Sequence, residues 1–216
     1  MMRHLAIIAD GNRRWAAQNG LPKEAGYLQG LTAIENCCLW AIRRGIPYLS
    51  VYCFSTENWK RTETEVSLLM DLARSYFGQR ADWYREMGVC VRFLGRKDRL
   101  AKDLVEKMQR MEAGTSAGSR LTLTICVDYG GRDEIAAAVQ RGARTEEEID
   151  GIIMGGVPAP DMILRTGGEM RLSNFMLWQA AYAELSFLQD YFPDLDSKLL
   201  DNVLEDYNER NRNYGR

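Results

Sequence analysis

The sequence lacks any apolar run of the about 18 residues that a membrane-spanning helix needs. The apolar stretch at the N-terminus covers only residues 4–9 and ends at Asp10. It is too short for the core of a signal peptide, and no cleavage site follows it. We therefore expect a cytoplasmic protein without a transmembrane segment.

Histidine is almost absent, since His4 is the only one among 216 residues. This scarcity argues against histidine-dependent catalytic triads and histidine-rich zinc sites. The five cysteines form no Cys-x-x-Cys pair, and we expect them to be small buried hydrophobic residues. Neither a Gly-x-x-x-x-Gly-Lys-[Ser/Thr] loop nor Gly-x-Gly-x-x-Gly occurs, so P-loop and dinucleotide-binding functions lose their main support.

An excess of charge of either sign is also missing, because the formal net charge at pH 7 is only -2. The chain as a whole therefore does not attract nucleic acid or an anionic membrane. An anionic ligand must be bound by local groups of Arg and Lys, so the positions of the basic residues are more informative than their number.

What the sequence does contain is a regular alternation of short apolar runs and helical segments. The predicted strands cover residues 4–9, 48–54, 89–94, 121–127, 162–165 and 184–187. The predicted helices cover residues 27–44, 62–87, 97–113, 133–142, 145–154 and 196–212. This order predicts a single α/β domain, residues 1–216, with a six-stranded, mostly parallel sheet flanked by helices.

In open parallel sheets, ligands bind beyond the carboxyl ends of the strands, and the first strand ends at Asp10-Gly11-Asn12-Arg13-Arg14-Trp15. Gly11 permits a tight turn, and a helix start with two arginines favours an anion. Asp10 can hold a cation, and Mg²⁺ prefers carboxylate oxygen. Together they predict a phosphate-bound metal; the alternative is that Asp10 and Asn12 only cap the helix.

The loop after the second strand reads Phe54-Ser55-Thr56-Glu57-Asn58-Trp59-Lys60-Arg61. Large aromatic residues beside hydroxyl, amide and charged groups favour a site that is apolar on one side and faces phosphate on the other. A solvated loop is the alternative interpretation.

Two further strand ends carry charged residues. Arg165 and Arg171 flank a Gly-Gly turn that precedes Ser173, and two such arginines can clamp a diphosphate unless the segment is only a surface turn. Glu184 lies among apolar residues, where a carboxylate needs a metal or arginine partner.

Four blocks of the sequence resemble signatures of the cis-prenyltransferase family, of which undecaprenyl diphosphate synthase is typical. They are residues 10–16, 54–61, 165–175 and 182–185, and residues 208–212 are similar to the family's last helix. Any one block is weak, but four in the family's order are specific. The resemblance implies a hydrophobic tunnel inside the α/β fold, prenyl diphosphate substrates, Mg²⁺ as cofactor and, usually, a homodimer.

The resemblance also implies roles for individual residues. Asp10 would carry Mg²⁺ on the allylic diphosphate, and Glu184 of the same or the partner subunit would favour the metal. Asn58 would lie near the reacting carbons and, with Asp10, is the predicted catalytic residue. The expected substrate-binding residues are Gly11, Asn12, Arg13, Arg14, Trp15, Lys23, Tyr27, Ser55, Thr56, Glu57, Trp59, Arg61, Arg165, Arg171, Leu172 and Ser173.

Three residues depart from the family pattern. Tyr27 replaces the histidine of the usual Gly-His-x-x-Gly, Lys23 stands at a common arginine position, and Asp128 replaces a usual asparagine. A phenol donates a hydrogen bond but carries no charge near neutral pH. These departures indicate a short product or an altered acceptor.

The sequence thus predicts that an allylic diphosphate (dimethylallyl, geranyl or farnesyl) condenses with isopentenyl diphosphate to a short Z-prenyl diphosphate. One alternative is head-to-middle condensation of two dimethylallyl diphosphates to a branched or cyclic, lavandulyl-type product. Another is a non-catalytic partner subunit of a prenyltransferase, which predicts loss of Asp10 and the arginine pairs.

Overall fold

Six short strands, mostly rich in Val, Ile, Leu and Tyr, form the centre of the molecule. The computed structural model describes residues 1–210, with the side chain of residue 154 excepted. The strands are β1 (His4–Ile8), β2 (Tyr48–Ser55), β3 (Val89–Leu94), β4 (Leu121–Tyr129), β5 (Met162–Arg165) and β6 (Glu184–Phe187). They form one sheet in the order β3-β4-β2-β1-β5-β6, and every neighbouring pair is parallel. The predicted α/β fold is confirmed, and the sheet is wholly rather than mostly parallel.

Helices connect the strands and cover both faces of the sheet. They are α1 (Asn12–Gln18), α2 (Lys23–Arg44), α3 (Glu63–Gln79), α4 (Ala81–Glu86), α5 (Lys102–Thr115), α6 (Gly131–Gln140), α7 (Glu146–Ile152) and α8 (Ser197–Glu209). Among the described residues, no helix is both long and apolar enough to cross a membrane. The end of the predicted last helix, Asn211 and Arg212, lies outside the described residues.

The helix predicted over residues 62–87 is in fact two helices that meet at Arg80. Arg80 leaves helical geometry (φ -102°, ψ -3°), and its Nε lies 2.9 Å from Oε1 of Glu35 on α2. Gly78, two residues before the break, is a weak helix-stop signal, but the apolar period continues through this position. The contact of Arg80 with α2 accompanies the break, and sequence periodicity does not report that contact.

The core occupies both faces of the sheet and includes the only histidine. The ring of His4 is fully buried, with Nδ1 2.6 Å from the carbonyl oxygen of Pro158 and Nε2 2.8 Å from the hydroxyl of Ser50. Burial lowers the pKa of His4 to about 4. The imidazole is therefore neutral at physiological pH and has a structural role.

The prediction that all cysteines are buried is wrong for Cys53. Cys37, Cys38 and Cys126 are buried and Cys90 is half-buried, but Cys53 is exposed. The pairing of β2 with β4 shifts register between Tyr52 and Phe54. Such a bulge re-aims one side chain, and here it turns Cys53 towards a cavity.

Two glycines of α2 allow this helix to pack tightly against the loop after β1. A Cβ on Gly26 would lie 2.1 Å from the carbonyl oxygen of Asn12, and one on Gly30 would lie 2.4 Å from Asn12 Oδ1. Both distances are shorter than any real Cβ contact. Gly26 and Gly30 therefore bring α2 and the loop of Asp10 together.

Candidate active site

A polar cleft lies at the carboxyl ends of β1, β2 and β5, where the sequence predicts a ligand site. It consists of two open cavities of about 550 and about 320 Å³. Both are lined by Asp10, Asn12, Tyr27 and Arg61. The larger is also lined by Ser55, Glu57, Asn58, Arg165, Ser173 and Asn174, and the smaller by Gly11, Arg13, Arg14, Glu169 and Arg171.

An apolar cavity of about 100 Å³ adjoins the polar cleft. Both are lined by Ala9, Asn12, Tyr27, Cys53, Phe54 and Leu69. The walls of the apolar cavity are formed mainly by side chains of α2, α3, β2 and β4. A ligand with a charged head and a hydrocarbon tail would therefore match the two compartments.

Asp10 is held by two arginines at the base of the cleft. Its Oδ2 accepts a hydrogen bond from Nη2 of Arg165 at 2.9 Å, and its Oδ1 lies 3.2 Å from Nη2 of Arg14. Burial favours the neutral acid, but the hydrogen bond and charge of Arg165, together with Arg14, outweigh it and hold the pKa of Asp10 below its ordinary value. Asp10 is therefore an ionised carboxylate at physiological pH.

Arg165 is almost fully buried, with 4% of its surface exposed. Its Nη1 donates to the carbonyl oxygen of Arg171 at 2.5 Å and to the hydroxyl of Ser173 at 2.8 Å. Arg165 thus connects Asp10 to the loop after β5. Arg171 is exposed and pairs with Glu169 at 2.5 Å, so Arg171 is the more accessible of the two arginines predicted to bind a diphosphate.

The loop that carries Ser173 has a strained backbone. Ser173, Asn174 and Met176 have φ values of 50°, 65° and 44°, which residues other than glycine rarely adopt. Phe175 is fully buried and stacks on Tyr52 with ring centroids 4.6 Å apart. Strain of this kind persists where packing enforces it and is concentrated at functional sites.

Glu65, near the start of α3, is the centre of a basic cluster that the sequence analysis did not identify. It is 7% exposed and accepts hydrogen bonds from Tyr27 (2.8 Å), Arg61 (2.9 Å) and Arg13 (3.2 Å). Lys23 lies 4.0 Å away. Burial favours the neutral acid, but the hydrogen bond from Tyr27 and the charges of Arg13 and Arg61 outweigh it and lower the pKa of Glu65.

Tyr27 is held in a defined orientation by this cluster. Its hydroxyl donates to Glu65 and accepts from Nη1 of Arg61 at 3.3 Å. Burial, with the hydrogen bond to Glu65, raises the pKa of Tyr27 to about 12. The phenol is therefore neutral at physiological pH, and its proton points to Glu65 rather than to the cleft.

The loop after β2 lines one side of the cleft. Oδ1 of Asn58 accepts a hydrogen bond from the backbone nitrogen of Ser55 at 3.0 Å. Glu57 accepts from Nδ2 of Asn174 at 2.9 Å, which joins this loop to the one after β5. Trp59 lies behind the loop and donates from Nε1 to the fully buried Asp128 at 2.8 Å.

Some residues predicted for the site lie away from the cleft within one subunit. Trp15 donates from Nε1 to Asp194 at 2.6 Å, and Leu172 packs against the core. Glu184 pairs in register with Met162 at the start of β5, whereas Arg165 and the cleft are at its end. Glu184 Oε2 instead lies 2.9 Å from Nη1 of Arg210. Thr56 and Lys23 do not line either cavity of the cleft, although Lys23 lies 4.0 Å from Glu65.

The residues that sequence reasoning missed had weak or ambiguous signals. Glu65 follows Thr62 by three residues, a spacing typical of an ordinary helix cap. Cys53 lies inside an apolar run that predicts a strand covered on both faces, and the bulge that exposes it has no mark in the sequence. Glu169 and Asn174 lie inside predicted blocks but had no role assigned to them.

The donors in the cleft fit a magnesium ion bound together with a substrate. Among residues 1–210, no group of three or more His, Cys, Asp or Glu side chains could hold a metal ion alone. Mg²⁺, however, is often bound by one or two carboxylates together with substrate phosphates and waters. Asp10 can serve as such a carboxylate, since it is ionised and 30% exposed to the cleft.

Fold and cleft together define an α/β protein that can hold an anionic head group beside an apolar tail. Comparison with known proteins agrees with this class of protein. The family model described as "Putative undecaprenyl diphosphate synthase" matches residues 8–215. Isoprenyl transferases of Aquifex pyrophilus and Thermotoga maritima are each 42% identical to this chain. Each match covers 99% of this chain, and 95% and 96% of the respective relative.

Two solved structures are similar over the whole chain. Lavandulyl diphosphate synthase from Lavandula x intermedia, in complex with dimethylallyl diphosphate, superposes with a TM-score of 0.94 at 28% identity and 98% coverage of that chain. A "probable undecaprenyl diphosphate synthase" from Campylobacter jejuni gives 0.86 at 29% identity and 99% coverage. The chain belongs to the undecaprenyl diphosphate synthase family, and it is a cis-prenyltransferase of isoprenoid biosynthesis.

Proposed function

We propose that this enzyme is Mg²⁺-dependent and condenses an allylic diphosphate with isopentenyl diphosphate to a short-chain Z-prenyl diphosphate. The observation that carries the proposal is that the Asp10 cleft adjoins the apolar cavity and shares lining residues with it. In this arrangement the diphosphate meets the basic residues while its hydrocarbon tail enters the cavity. The enzyme domain in this proposal is residues 1–216.

The allylic diphosphate is assigned to the loop of Asp10. The start of α1, Arg13, Arg14 and Arg61 lie around the smaller cavity and can bind its oxygens. Asp10 would hold Mg²⁺ against the same diphosphate. When bound there, the metal would neutralise negative charge on the leaving diphosphate.

The acceptor diphosphate is assigned to Arg171 and Ser173, with Arg165 fixing their loop from below. In the reaction, the C1–O bond of the allylic substrate breaks and the diphosphate leaves with the electron pair. The acceptor alkene bonds to C1, and the resulting cation loses a proton to the released diphosphate, which restores a double bond. Asn58 lines the larger cavity of the cleft and, in this proposal, would help to align the acceptor.

Head-to-middle condensation of two dimethylallyl diphosphates is a second candidate, favoured by Tyr27. Tyr27 stands where the family usually has an ionisable histidine, and its hydroxyl proton is donated to Glu65 and not to the cleft. The similar lavandulyl diphosphate synthase structure contains dimethylallyl diphosphate. A non-catalytic subunit, the third candidate, is disfavoured because Asp10, Arg165 and Arg171 are all present.

A cytoplasmic homodimer is part of the proposal. Strand β6 forms one edge of the sheet, and beside it Tyr182 and Leu185 are 84% and 39% exposed. A second subunit packed on this edge would cover both. Such packing could also bring Glu184 of the partner subunit to the metal, which its own Glu184 does not approach.

Product analysis with defined substrates tests these candidates. Purified protein and Mg²⁺ are incubated with dimethylallyl diphosphate alone and then with isopentenyl diphosphate added, and the dephosphorylated products are identified. Linear Z-prenols that need both substrates are expected. A branched or cyclic C10 product from dimethylallyl diphosphate alone would establish the head-to-middle reaction instead. No product, with Asp10→Ala equal to wild type in diphosphate binding, would favour the non-catalytic subunit.

A further inference from the structure

Asn174, in the loop after β5, contacts the segments that follow two other strands. Its Nδ2 donates a hydrogen bond to Oε1 of Glu57, in the loop after β2, at 2.9 Å. Its Oδ1 accepts from the backbone nitrogen of Arg132 at 3.0 Å, and its carbonyl oxygen accepts from that of Gly131 at 2.7 Å. Gly131 and Arg132 begin α6, which follows β4. Asn174 therefore joins the carboxyl ends of β2, β4 and β5.

The three segments approach each other closely at Asn174. A Cβ on Gly130 would lie 2.6 Å from Nδ2 of Asn174 and 2.7 Å from Oγ1 of Thr56. Real Cβ contacts are not this short, so a side chain at Gly130 would displace the amide of Asn174 or the hydroxyl of Thr56. Asn174 itself has a left-handed backbone with φ 65°, in which Asn and Asp are enriched over other residues with a side chain. Gly130 and Asn174 are thus residue types that this junction requires.

Each partner of the hydrogen bond between Asn174 and Glu57 is next to a residue with a part in the proposed reaction. Asn174 follows Ser173, which is assigned to the acceptor diphosphate, and Glu57 precedes Asn58, which is assigned to alignment of the acceptor. All four residues line the larger cavity of the cleft. The two ends of one acceptor molecule would thus be held by two loops, whose relative position decides its alignment. A misplacement of about 1 Å can lower a reaction rate about a hundredfold.

Glu57 is suited to hold a loop rather than a phosphate. An ionised carboxylate only accepts hydrogen bonds, so it has no proton to donate to phosphate oxygens. Burial favours the neutral acid, but the hydrogen bond from Asn174, together with weaker ones, outweighs it and lowers the pKa of Glu57. Glu57 is therefore ionised at physiological pH. Its hydrogen bond with Asn174 is charge-assisted and stronger than one between neutral groups.

We propose that the hydrogen bond between Asn174 and Glu57 holds the loop of Ser173 and the loop of Asn58 in the relative position that aligns isopentenyl diphosphate with the allylic substrate. Asn174 and Glu57 are then positioning residues, which act through Ser173 and Asn58. The inference rests on the proposed condensation. A purely structural role of Asn174 predicts instead that its replacement lowers stability but leaves the kinetics of the folded enzyme unchanged.

Asn174→Asp is the decisive variant, because it changes little except the hydrogen-bond donor. Aspartate keeps Oδ1 as acceptor for Arg132 and tolerates the left-handed backbone, but it places a second carboxylate against Glu57. In steady-state kinetics with Mg²⁺, we expect kcat/KM for isopentenyl diphosphate to fall at least about tenfold. KM for the allylic diphosphate should stay within about twofold of wild type, because its subsite lies around the smaller cavity, which Asn174 does not line.

Reversal of the hydrogen bond separates this inference from a simple loss of packing. In the double variant Asn174→Asp with Glu57→Gln, the new amide donates to the new carboxylate, so the loops are joined again. Its kcat/KM for isopentenyl diphosphate should return to within about threefold of that of Glu57→Gln alone. Asn202→Asp makes the first change at an exposed position of α8 and should keep the wild-type value. Losses that add in the double variant, or wild-type kinetics of Asn174→Asp, would overturn the inference.

Hydrogen exchange of the free enzyme tests the connection without substrate. Amides of residues 54–61 should exchange faster in Asn174→Asp than in wild type, although Glu57 is 117 residues from the substitution along the chain. The double variant should restore slow exchange. Unchanged exchange would refute the connection between the loops, whereas the expected exchange with no product from isopentenyl diphosphate would refute the proposed condensation. If Asn174→Asp does not fold, Asn174→Gly replaces it, since glycine keeps the left-handed backbone and removes the donor without adding charge.

Discussion

Replacement of Glu65 should weaken the folded state by an amount that the structure allows us to estimate. Glu65→Ala removes the acceptor for Tyr27, Arg13 and Arg61 and the charge near Lys23. The side chains of Arg13 and Lys23 are 51% and 63% exposed, so their ion pairs contribute at most about 0.5 kcal/mol each. The more buried contacts with Arg61 and Tyr27 contribute about 1 kcal/mol each. We therefore expect the free energy of unfolding to fall by about 2–3 kcal/mol at pH 7.

The pH dependence of this loss has a defined sign. The folded-state pKa of Glu65 is lowered from 4.5, so its contribution is present above about pH 4.5. It disappears as the pH falls through the folded-state pKa, because the unfolded state then binds the proton first. The difference between wild type and Glu65→Gln, which keeps an acceptor but no charge, should therefore shrink below about pH 4.

Urea unfolding at several pH values, followed by circular dichroism, measures these differences. Glu63→Ala is the control, since Glu63 is an exposed acid on the same helix and its loss should change stability by less than about 0.5 kcal/mol. A Glu65→Ala protein as stable as Glu63→Ala at pH 7 would refute the assignment of Glu65 as the centre of the cluster. A Glu65→Gln difference that does not depend on pH would refute the argument from its charge.

Three further predictions concern the cleft and its surroundings. Asp10→Asn should lower Mg²⁺-dependent turnover at least about a hundredfold in steady-state kinetics. Circular dichroism checks that the variant is folded, and turnover within threefold of wild type would contradict the role of Asp10. Asp128→Ala should lower the free energy of unfolding by about 3 kcal/mol in urea titrations, because Trp59 and Arg99 lose a buried partner. Asp128→Asn should lower this free energy by less, because the asparagine still accepts a hydrogen bond from Trp59. Equal losses for both variants would contradict this reasoning. Cys53 should react with iodoacetamide at pH 8 faster than the buried Cys37, because Cys53 is exposed and lines the apolar cavity, and bound geranyl diphosphate with Mg²⁺ should slow the reaction. Mass spectrometry of the labelled peptide measures this, with buried Cys37 as the unlabelled control, and unchanged labelling of Cys53 would contradict its place in the cavity.

The sequence predicted the sheet well because buried parallel strands leave a strong local signal. The bounds of β3, β5 and β6 agree with prediction, and β3 and β5 are mainly apolar runs. Strands β2 and β4 are one and two residues longer than predicted. Their last residues are polar or aromatic and are extended by pairing with each other, which is a non-local effect.

The candidate site was predictable where it depends on strand ends and not where it depends on packing between elements. Asp10, Asn58, Arg165 and Ser173 lie together because parallel strands end at one edge of the sheet. The buried position of Glu65 depends instead on how α3 approaches α2 and α1. Glu184 lies away from Asp10 because it is at the start of β6, whereas the cleft is at the carboxyl ends of the strands. A sequence motif does not specify at which end of a strand a residue lies.

The tight contact of Gly26 and Gly30 with Asn12 fixes the position of α2 relative to the Asp10 cleft. Residues further along α2 line the apolar cavity, so the helix sets the distance between the cleft and that part of the cavity. The start of this helix packs against Asn12, and Glu35, which accepts a hydrogen bond from Tyr76, lies eight residues and about 12 Å beyond Tyr27. A helix keeps such a length constant while loops move. A bulky side chain moved by one turn along α2 or α3 would therefore shift the end of the cavity by about 5.4 Å and leave the residues around Asp10 in place. The size of the apolar cavity and the arrangement of the polar cleft can thus change independently of each other.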